Sequence, residues 1–145
     1  MNLSTTLSGG TDIRLSEREV TLAHVSKALY ALTVDAEMDE DGELLVEETP
    51  LEWPVWIGLD RDKKLITLRT CQRTDQFENW REALAWVNEA NARMELVQFH
   101  IAEGLIWGYY WINYEGDLSI RPLINTLRTF RTAFEIAVKS DPAHD

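Results

Sequence analysis

The sequence predicts an α+β fold, a five-stranded antiparallel sheet with helices in the order α-β-β-β-α-β-β-α. Three segments show apolar residues at intervals of three and four, which is the helical period. The segments between them are shorter, rich in β-branched and aromatic residues, and joined by compact polar turns. Consecutive strands with short turns pair antiparallel, and helices then pack on the sheet.

One domain is expected, because the chain has 145 residues of which 45% are hydrophobic, enough for its own core. Residues 1–15 carry Gly9, Gly10 and small polar residues and are expected to form a flexible N-terminal tail. The domain then covers residues 16–140, and residues 141–145 form a C-terminal tail.

The first helix is predicted over residues 17–32. The segment "SERE" from Ser16 has the Ser-x-x-Glu form of a capping box, which satisfies backbone N–H groups in the first helical turn. The apolar stripe that follows consists of Leu22, Val25, Leu29 and Leu32.

Three strands are predicted next, over residues 43–48, 53–59 and 64–71. The polar turn "DRDK" joins the last two. Pro54 has no N–H to donate, so it belongs at a strand start or an edge.

The second helix is predicted over residues 76–92, with Asp75 as N-cap and Glu78 as its capping partner. Its three-four stripe consists of Phe77, Trp80, Leu84, Val87, Asn91 and Met94. Asn88 and Asn91 lie near its end, and we expect them to bind backbone groups of the exit loop.

A hairpin is predicted over residues 95–102 and 105–114, with Glu103 and Gly104 as a two-residue turn. The last helix carries Pro122 in its first turn, where no N–H is needed. Its caps are Ser119 or Asp117, its buried stripe is Leu123, Leu127, Phe130, Phe134 and Val138, and the segment "SDP" ends it.

The hairpin register predicts a cluster of outward aromatic side chains. A two-residue turn pairs Ala102 with Leu105, His100 with Trp107, Gln98 with Tyr109 and Leu96 with Trp111. The opposite face holds Val97, Phe99, Ile101, Ile106, Gly108, Tyr110 and Ile112 and is plainly the core. Trp107, Tyr109 and Trp111 therefore point away from the core, and the turn at 60–63 adds Trp56 beside Thr67. Two alternatives remain: a helix of the chain covers these side chains, or a one-residue register shift turns them inward.

Composition excludes several classes of function. The net charge is −11, and the stretch from Asp35 to Asp60 contains ten acidic residues and no lysine or arginine. Nucleic acid and anionic membranes are poor partners for such a chain, because both attract basic proteins. No apolar run approaches the length of about 20 residues that a membrane span needs, and the N-terminus does not resemble a signal peptide. Cys71 is the only cysteine, so we expect a cytoplasmic protein in which this thiol is buried.

The segment "EMDEDGELLVEE", residues 37–48, partly matches a calcium loop, with Glu37, Asp39, Asp41, Gly42 and Glu48 at ligand or turn positions. An EF-hand needs a helix after the loop, and Pro50 and Pro54 oppose one. A β-turn at Asp41 and Gly42 explains the same residues. We therefore expect no metal and no cofactor.

No catalytic residue is predicted. His24, His100 and His144 lie far apart without metal-ligand spacing, and no phosphate loop or nucleophile elbow is present. The arginines of the last helix, Arg121, Arg128 and Arg131, cluster on one side. They either contact the acidic loop of a neighbouring subunit or are solvated.

The sequence resembles the YbjN-type domain family, described as putative bacterial sensory transduction regulators. The resemblance covers about residues 16–139 and lies in "DEDGELLV", in "VWIGLDRDKKLITLRT" and in "WVNEANARMELVQFHIAEGLIWGYYWI". It implies a fold similar to type III secretion chaperones and a small homodimeric domain that binds other proteins.

We therefore expect a non-enzymatic protein-binding domain, a chaperone-like or regulatory adaptor that forms a homodimer and binds an unknown protein partner. Trp56, Trp107, Tyr109 and Trp111 form the expected dimer or partner surface. The alternative is a small-ligand sensor, with a pocket between the sheet and the second helix lined by Trp80, Trp86 and Tyr110.

Overall fold

The structure, a computed structural model, describes residues 4–7, 11–48 and 54–139. These residues form nine strands and three α-helices. The strands are β1 (Ser4–Leu7), β2 (Thr11–Ser16), β3 (Ala36–Met38), β4 (Leu44–Val46), β5 (Val55–Asp60), β6 (Leu65–Arg73), β7 (Gln98–Ala102), β8 (Leu105–Asn113) and β9 (Asp117–Ser119). The helices are α1 (Leu22–Ala31), α2 (Trp80–Arg93) and α3 (Ile120–Lys139). In the described part of the chain, no helix has the length and apolar character needed to cross a membrane.

The strands form two antiparallel sheets, so the α+β class and the antiparallel pairing are confirmed. The larger sheet has the order β3-β4-β5-β6-β8-β7, and the smaller has the order β1-β2-β9. The predicted count of five strands is wrong, because β3 adds a sixth strand beside β4 and the smaller sheet was not foreseen. β3 and β9 have only three residues each, too few to show an alternating pattern.

The predicted tail is also wrong for residues 4–7 and 11–15, which form β1 and most of β2; residues 1–3, 8–10 and the predicted C-terminal tail lie outside the described residues. β2 pairs with β9, with Leu15 opposite Leu118, and Leu15 is fully buried. Ile13 is 4% exposed in the same core. β2 also pairs with β1, its neighbour in the chain, but β9, the partner opposite Leu15, lies near the other end of the chain, where no local turn signals the pairing.

The first helix begins later than predicted, at Leu22 rather than at residue 17. Ser16 and Glu19 do interact, since the Ser16 N–H donates to the Glu19 carboxylate at 2.9 Å. Ser16 is the N-cap of a short 3₁₀ turn, Glu17–Glu19, in which Glu19 is the last residue. Thr21 then caps α1.

The second helix also begins later than predicted, at Trp80 rather than at residue 76. Its N-cap is Asn79 and not Asp75: the Asn79 side-chain oxygen accepts from the Glu82 N–H at 2.9 Å. Asn91 near its end binds both backbone groups of Phe99, at 3.1 Å to the carbonyl and 2.6 Å to the N–H. The predicted binding of backbone groups is therefore confirmed for Asn91, although these groups belong to β7 and not to the exit loop.

The core lies between the helices and one face of the larger sheet. Ile57, Leu68 and Ile106 are fully buried on that face of three neighbouring strands. α3 comes closest at Gly108, where an added Cβ would lie 2.5 Å from the Phe134 ring. Phe134 also stacks on Phe99, with ring centroids 5.8 Å apart. The absence of a side chain at Gly108 lets an aromatic ring of α3 lie directly on the sheet.

The β7–β8 hairpin has the predicted turn, with Glu103 at φ 54° and Gly104 at φ 75°, which is typical of a two-residue hairpin turn. The predicted pairs from Gln98 to Ala102 are confirmed. The strand does not reach back to residue 95, however, and Leu96 does not pair with Trp111.

Two of the three arginines of α3, Arg128 and Arg131, bind a carboxylate of their own chain, an arrangement that neither predicted option included. Glu48 binds Arg128 at 2.7 Å and Arg131 at 2.7 Å. The side chain of Arg131 is fully buried. Hydrogen bonds and charge from the two arginines outweigh the effect of burial and lower the pKa of Glu48. Burial lowers the pKa of Arg131 more than Glu48 raises it.

Candidate functional site

The face of the larger sheet opposite the helices carries a row of aromatic side chains. Trp56 lies on β5, and Trp107, Tyr109 and Trp111 lie at alternate positions of β8. Alternate residues of a strand point to opposite faces, and two residues of the other alternating set on β8, Ile106 and Gly108, are buried. The four rings therefore share the open face as predicted, and we call Trp56, Trp107, Tyr109 and Trp111 the aromatic face.

The rings contact one another in sequence across the sheet. The centroids of Trp56 and Trp107 are 6.2 Å apart, and those of Trp107 and Tyr109 are 6.4 Å apart. Tyr109 and Trp111 stack at 5.6 Å with an interplanar angle of 7°. These separations lie in the range of favourable aromatic pairs, so the four side chains form one continuous platform.

Arg69 lies within this platform and was not predicted as part of it. It sits on β6 between β5 and β8, directly opposite both Trp56 and Tyr109. Its guanidinium carbon lies 5.7 Å from the Trp56 ring centroid and 5.0 Å from that of Trp107, within cation–π range. The predicted pairing of Trp56 with Thr67 is wrong.

The pairing differs because the turn between β5 and β6 lies one residue later in the chain than predicted, at residues 61–64 instead of 60–63. Asp60 pairs with Leu65, and Lys64 adopts a left-handed φ of 55° before the strand starts. A register is set by the turn it starts from, so Arg69 rather than Thr67 lies opposite Trp56.

Glu43 neutralises Arg69. The Glu43 carboxylate receives hydrogen bonds from Nε of Arg69 at 3.2 Å and from its Nη2. It lies directly above Gly58, where an added Cβ would be 2.8 Å from the carboxylate oxygen. Burial opposes the charge of Arg69, but the hydrogen bonds and charge of Glu43 outweigh burial and raise the pKa of Arg69. The platform therefore contains a matched ion pair and no net charge from it.

The rim of the aromatic face is more polar. His100 lies opposite Trp107, and Gln98 lies opposite Tyr109; both are exposed. Cys71 also lies opposite Trp107, on the β6 side, and is partly exposed rather than buried as expected. Burial raises the pKa of its thiol, and the nearby charge of Arg69 opposes this effect.

The aromatic face is accessible. Trp111 is 43% exposed, and the other three rings are partly exposed. In the described part of the chain the three helices contribute to the core on the other side of the sheet. Neither alternative holds there: no described helix lies on these rings, and the register does not turn them inward.

The predicted ligand-pocket residues are not brought together. Trp86 is 3% exposed and packs in the core against Phe77 and Phe99, at 5.9 and 5.2 Å. Trp80 is 68% exposed and lines a hollow beside the β7–β8 turn. Tyr110 lines a different hollow, beside the end of α2.

The acidic segment 37–48 forms the β3–β4 hairpin and not a loop between helices. The Asp39 carboxylate accepts from the N–H groups of Asp41 and Glu43, both at 2.9 Å, and Gly42 adopts a φ of 81°. The turn alternative at Asp41 and Gly42 is therefore confirmed.

The aromatic face was visible in the sequence through the alternation of "WGYYW", whereas Glu43 and Arg69 were not. Glu43 follows a turn and Arg69 lies within a strand, and neither position carries a local signal that the two side chains form an ion pair over β5. Comparison with known proteins adds nothing to this site: no family model matches the chain, and neither a curated protein nor a solved structure matches it at a significant level.

Proposed function

We propose that this chain is a non-enzymatic protein-binding domain, a chaperone-like or regulatory adaptor of a bacterial cytoplasm, that forms a homodimer through its aromatic face. The observation that carries the proposal is the row of four aromatic rings on the sheet face opposite the helices. A contiguous apolar patch of this kind is rarely left open on a monomer.

A second copy fits this face for two reasons. A two-fold dimer brings the same patch of each subunit together, so the patch must not repel itself. The charge of Arg69 is matched by Glu43 within each subunit, which removes that source of repulsion. A large aromatic side chain buries roughly 150–250 Å² when fully covered, and four of them supply much of the roughly 800 Å² per partner of a standard interface.

The segments "DEDGELLV" and "VWIGLDRDKKLITLRT" support assignment to the YbjN-type domain family. With that assignment we infer the fold of type III secretion chaperones, in which recognition of a protein partner requires no turnover. The helices on one face and the accessible aromatic rings on the other are compatible with such a role.

The test is the double variant Trp107→Ser, Tyr109→Ser, studied by light scattering and circular dichroism. We expect the natural chain to have about twice the 16.7 kDa mass of one chain and the double variant to be a folded monomer. Trp80→Ser is the matched control, because Trp80 is 68% exposed on α2, away from this face. A natural chain that stays monomeric at micromolar concentrations, or a double variant that does not fold, contradicts the proposal.

A small-ligand sensor is the second candidate, and one observation favours it. Tyr110, which was expected to line a ligand pocket, lines a hollow of about 480 Å³ together with Leu96 and Trp111, a volume within the range of ligand sites. A metabolite that raises the melting temperature by mass action would support this candidate, provided that Tyr110→Ala abolishes the increase.

A further inference from the structure

β8 extends beyond the strand next to it. β7 begins at Gln98, opposite Tyr109, whereas β8 continues to Asn113. The final segment 110–113 of β8 pairs with β6 on one side, and on the other side no strand of the described residues pairs with it. A sheet edge without a neighbouring strand presents N–H and C=O groups that can pair with another chain.

The direction of these backbone groups follows from one hydrogen bond. The Tyr114 N–H donates to the Lys64 carbonyl at 3.0 Å, so residue 114 points toward the β6 side. In an antiparallel ladder, successive residues direct their N–H and C=O groups to opposite sides. Trp111 and Asn113 therefore direct theirs away from β6, toward the unpaired edge.

The space beside this edge is large enough for a chain segment. Residues 94–97, between α2 and β7, belong to no strand and border a hollow of about 480 Å³. Leu96 and Val97 of this segment and Tyr110 and Trp111 of β8 all line the hollow. An occupant strand would place alternate side chains against Tyr110 and against Trp111, on the two faces of the sheet.

The outer edge of β7 is not available in the same way. Asn91 of α2 donates to the Phe99 carbonyl and accepts from the Phe99 N–H. This side chain occupies two of the backbone groups through which a further strand would pair with β7. At this end of the larger sheet, the unpaired end of β8 is thus the better place for an added strand.

We propose that Trp111 and Asn113 pair with an extended, basic peptide segment of a partner protein, which continues the line of β7 antiparallel to β8. The inference rests on the proposed function and names the kind of segment that is bound. Backbone pairing gives the affinity, and apolar side chains at alternate positions occupy the hollow. The segment is basic because the chain has a net charge of −11 and Glu95 lines the hollow.

The test uses the acetylated and amidated peptide KTVTVTK in a nitrogen-15 NMR titration of the full chain. We expect downfield shifts and slower hydrogen exchange at the amides of Trp111 and Asn113. The same peptide with N-methyl groups on alternate backbone amides should not bind, because it keeps the charge and the side chains but loses the donors.

Two variants at one position isolate the backbone group. Asn113→Pro removes the outward N–H without removing a β6 hydrogen bond, and we expect it to weaken peptide binding by about tenfold, the effect of one lost hydrogen bond. Asn113→Ala removes the same side chain but keeps the N–H, so it should bind as the natural chain does. The control is needed because the Asn113 side chain accepts from the Glu115 N–H at 2.9 Å.

The proposal is overturned if the N-methylated peptide binds equally well, if shifts appear only at Trp107 and Tyr109, or if no shift appears at millimolar peptide. Neither peptide comparison depends on whether Asn113→Pro folds. Light scattering separates this result from the proposed dimer: Asn113→Pro should keep the mass of the natural chain. If the double variant Trp107→Ser, Tyr109→Ser loses the dimer, the Asn113 amide signal should still shift when the peptide is added.

Discussion

The guanidinium carbon of Arg69 lies 5.0 Å from the ring centroid of Trp107, which places a cation within an aromatic surface. Such a charge costs free energy when a partner covers it, unless a matched charge accompanies it. Glu43 supplies that charge from the neighbouring hairpin. The ion pair therefore adds no net charge to the aromatic face.

Arg69→Leu should weaken the homodimer more than the double variant Arg69→Leu, Glu43→Leu does. The single variant leaves the Glu43 carboxylate unpaired within an apolar interface, which we expect to weaken the dimer by about tenfold. The double variant removes both charges and should restore most of the affinity. Sedimentation equilibrium measures the dissociation constant, and equal weakening in both variants would refute the argument.

Gly108→Ala should destabilise the fold by about 2 kcal/mol or more, because core overpacking typically costs 1–3 kcal/mol. Its Cβ would lie 2.5 Å from the Phe134 ring and 2.9 Å from Val97. Gly104→Ala is the comparison: nothing lies within 4 Å, and only its φ of 75° opposes a side chain, which costs about 1 kcal/mol. Urea unfolding measures the free energy of unfolding of both variants. An equal loss of stability in the two variants would show that α3 moves away freely.

Glu48→Gln should reduce the free energy of unfolding by about 3 kcal/mol at pH 7, because it leaves the buried Arg131 without its carboxylate. Glu47→Gln is the matched control, since Glu47 is the adjacent exposed acid and its loss should change stability by under about 0.5 kcal/mol.

The effect of Glu48→Gln should depend on pH. Because the pKa of Glu48 is lowered in the folded chain, its stabilisation is present above the unfolded value of about 4.3 and is lost as pH falls through the folded pKa. The difference between the natural chain and Glu48→Gln should therefore shrink in acid. A difference that stays constant from pH 7 down to the acid transition would contradict this assignment.

Asn91→Ala should destabilise the fold by about 2 kcal/mol, because it leaves both backbone groups of Phe99 without this partner. Asn88→Ala, one turn earlier at an exposed position, should change stability by less than about 0.5 kcal/mol. Chemical denaturation of both variants checks the prediction, which fails if the two losses are the same.

Calcium should not stabilise the chain, because segment 37–48 is a β-hairpin whose turn is closed by the Asp39 carboxylate. Asp39→Ala should reduce the free energy of unfolding by about 1–2 kcal/mol through the lost hydrogen bonds. This loss should be the same with and without calcium. Calorimetry that shows micromolar calcium binding, abolished in Asp39→Ala, would overturn this prediction.

The sequence by itself determined the elements with long, regular patterns. The stripe of α3, the two-residue turn at Glu103 and Gly104, and the alternation along β8 each depend on residues close together in the chain. For that reason the outward direction of Trp107, Tyr109 and Trp111 was predicted correctly: once the turn sets the register, the strand period decides which face each ring occupies.

Tertiary structure alone decided the features that depend on residues far apart in the chain. Leu15 of the presumed tail is buried because β9 pairs with its strand. Arg69 meets Trp56 because the β5–β6 turn lies one residue later in the chain than its polar residues suggested. The short strands β3 and β9 are strands because a neighbour supplies their hydrogen bonds, and a three-residue segment has no intrinsic preference strong enough to announce this. β7 begins only at Gln98, opposite Tyr109, which leaves Trp111 and Asn113 at an open edge, and no local pattern marked that starting point.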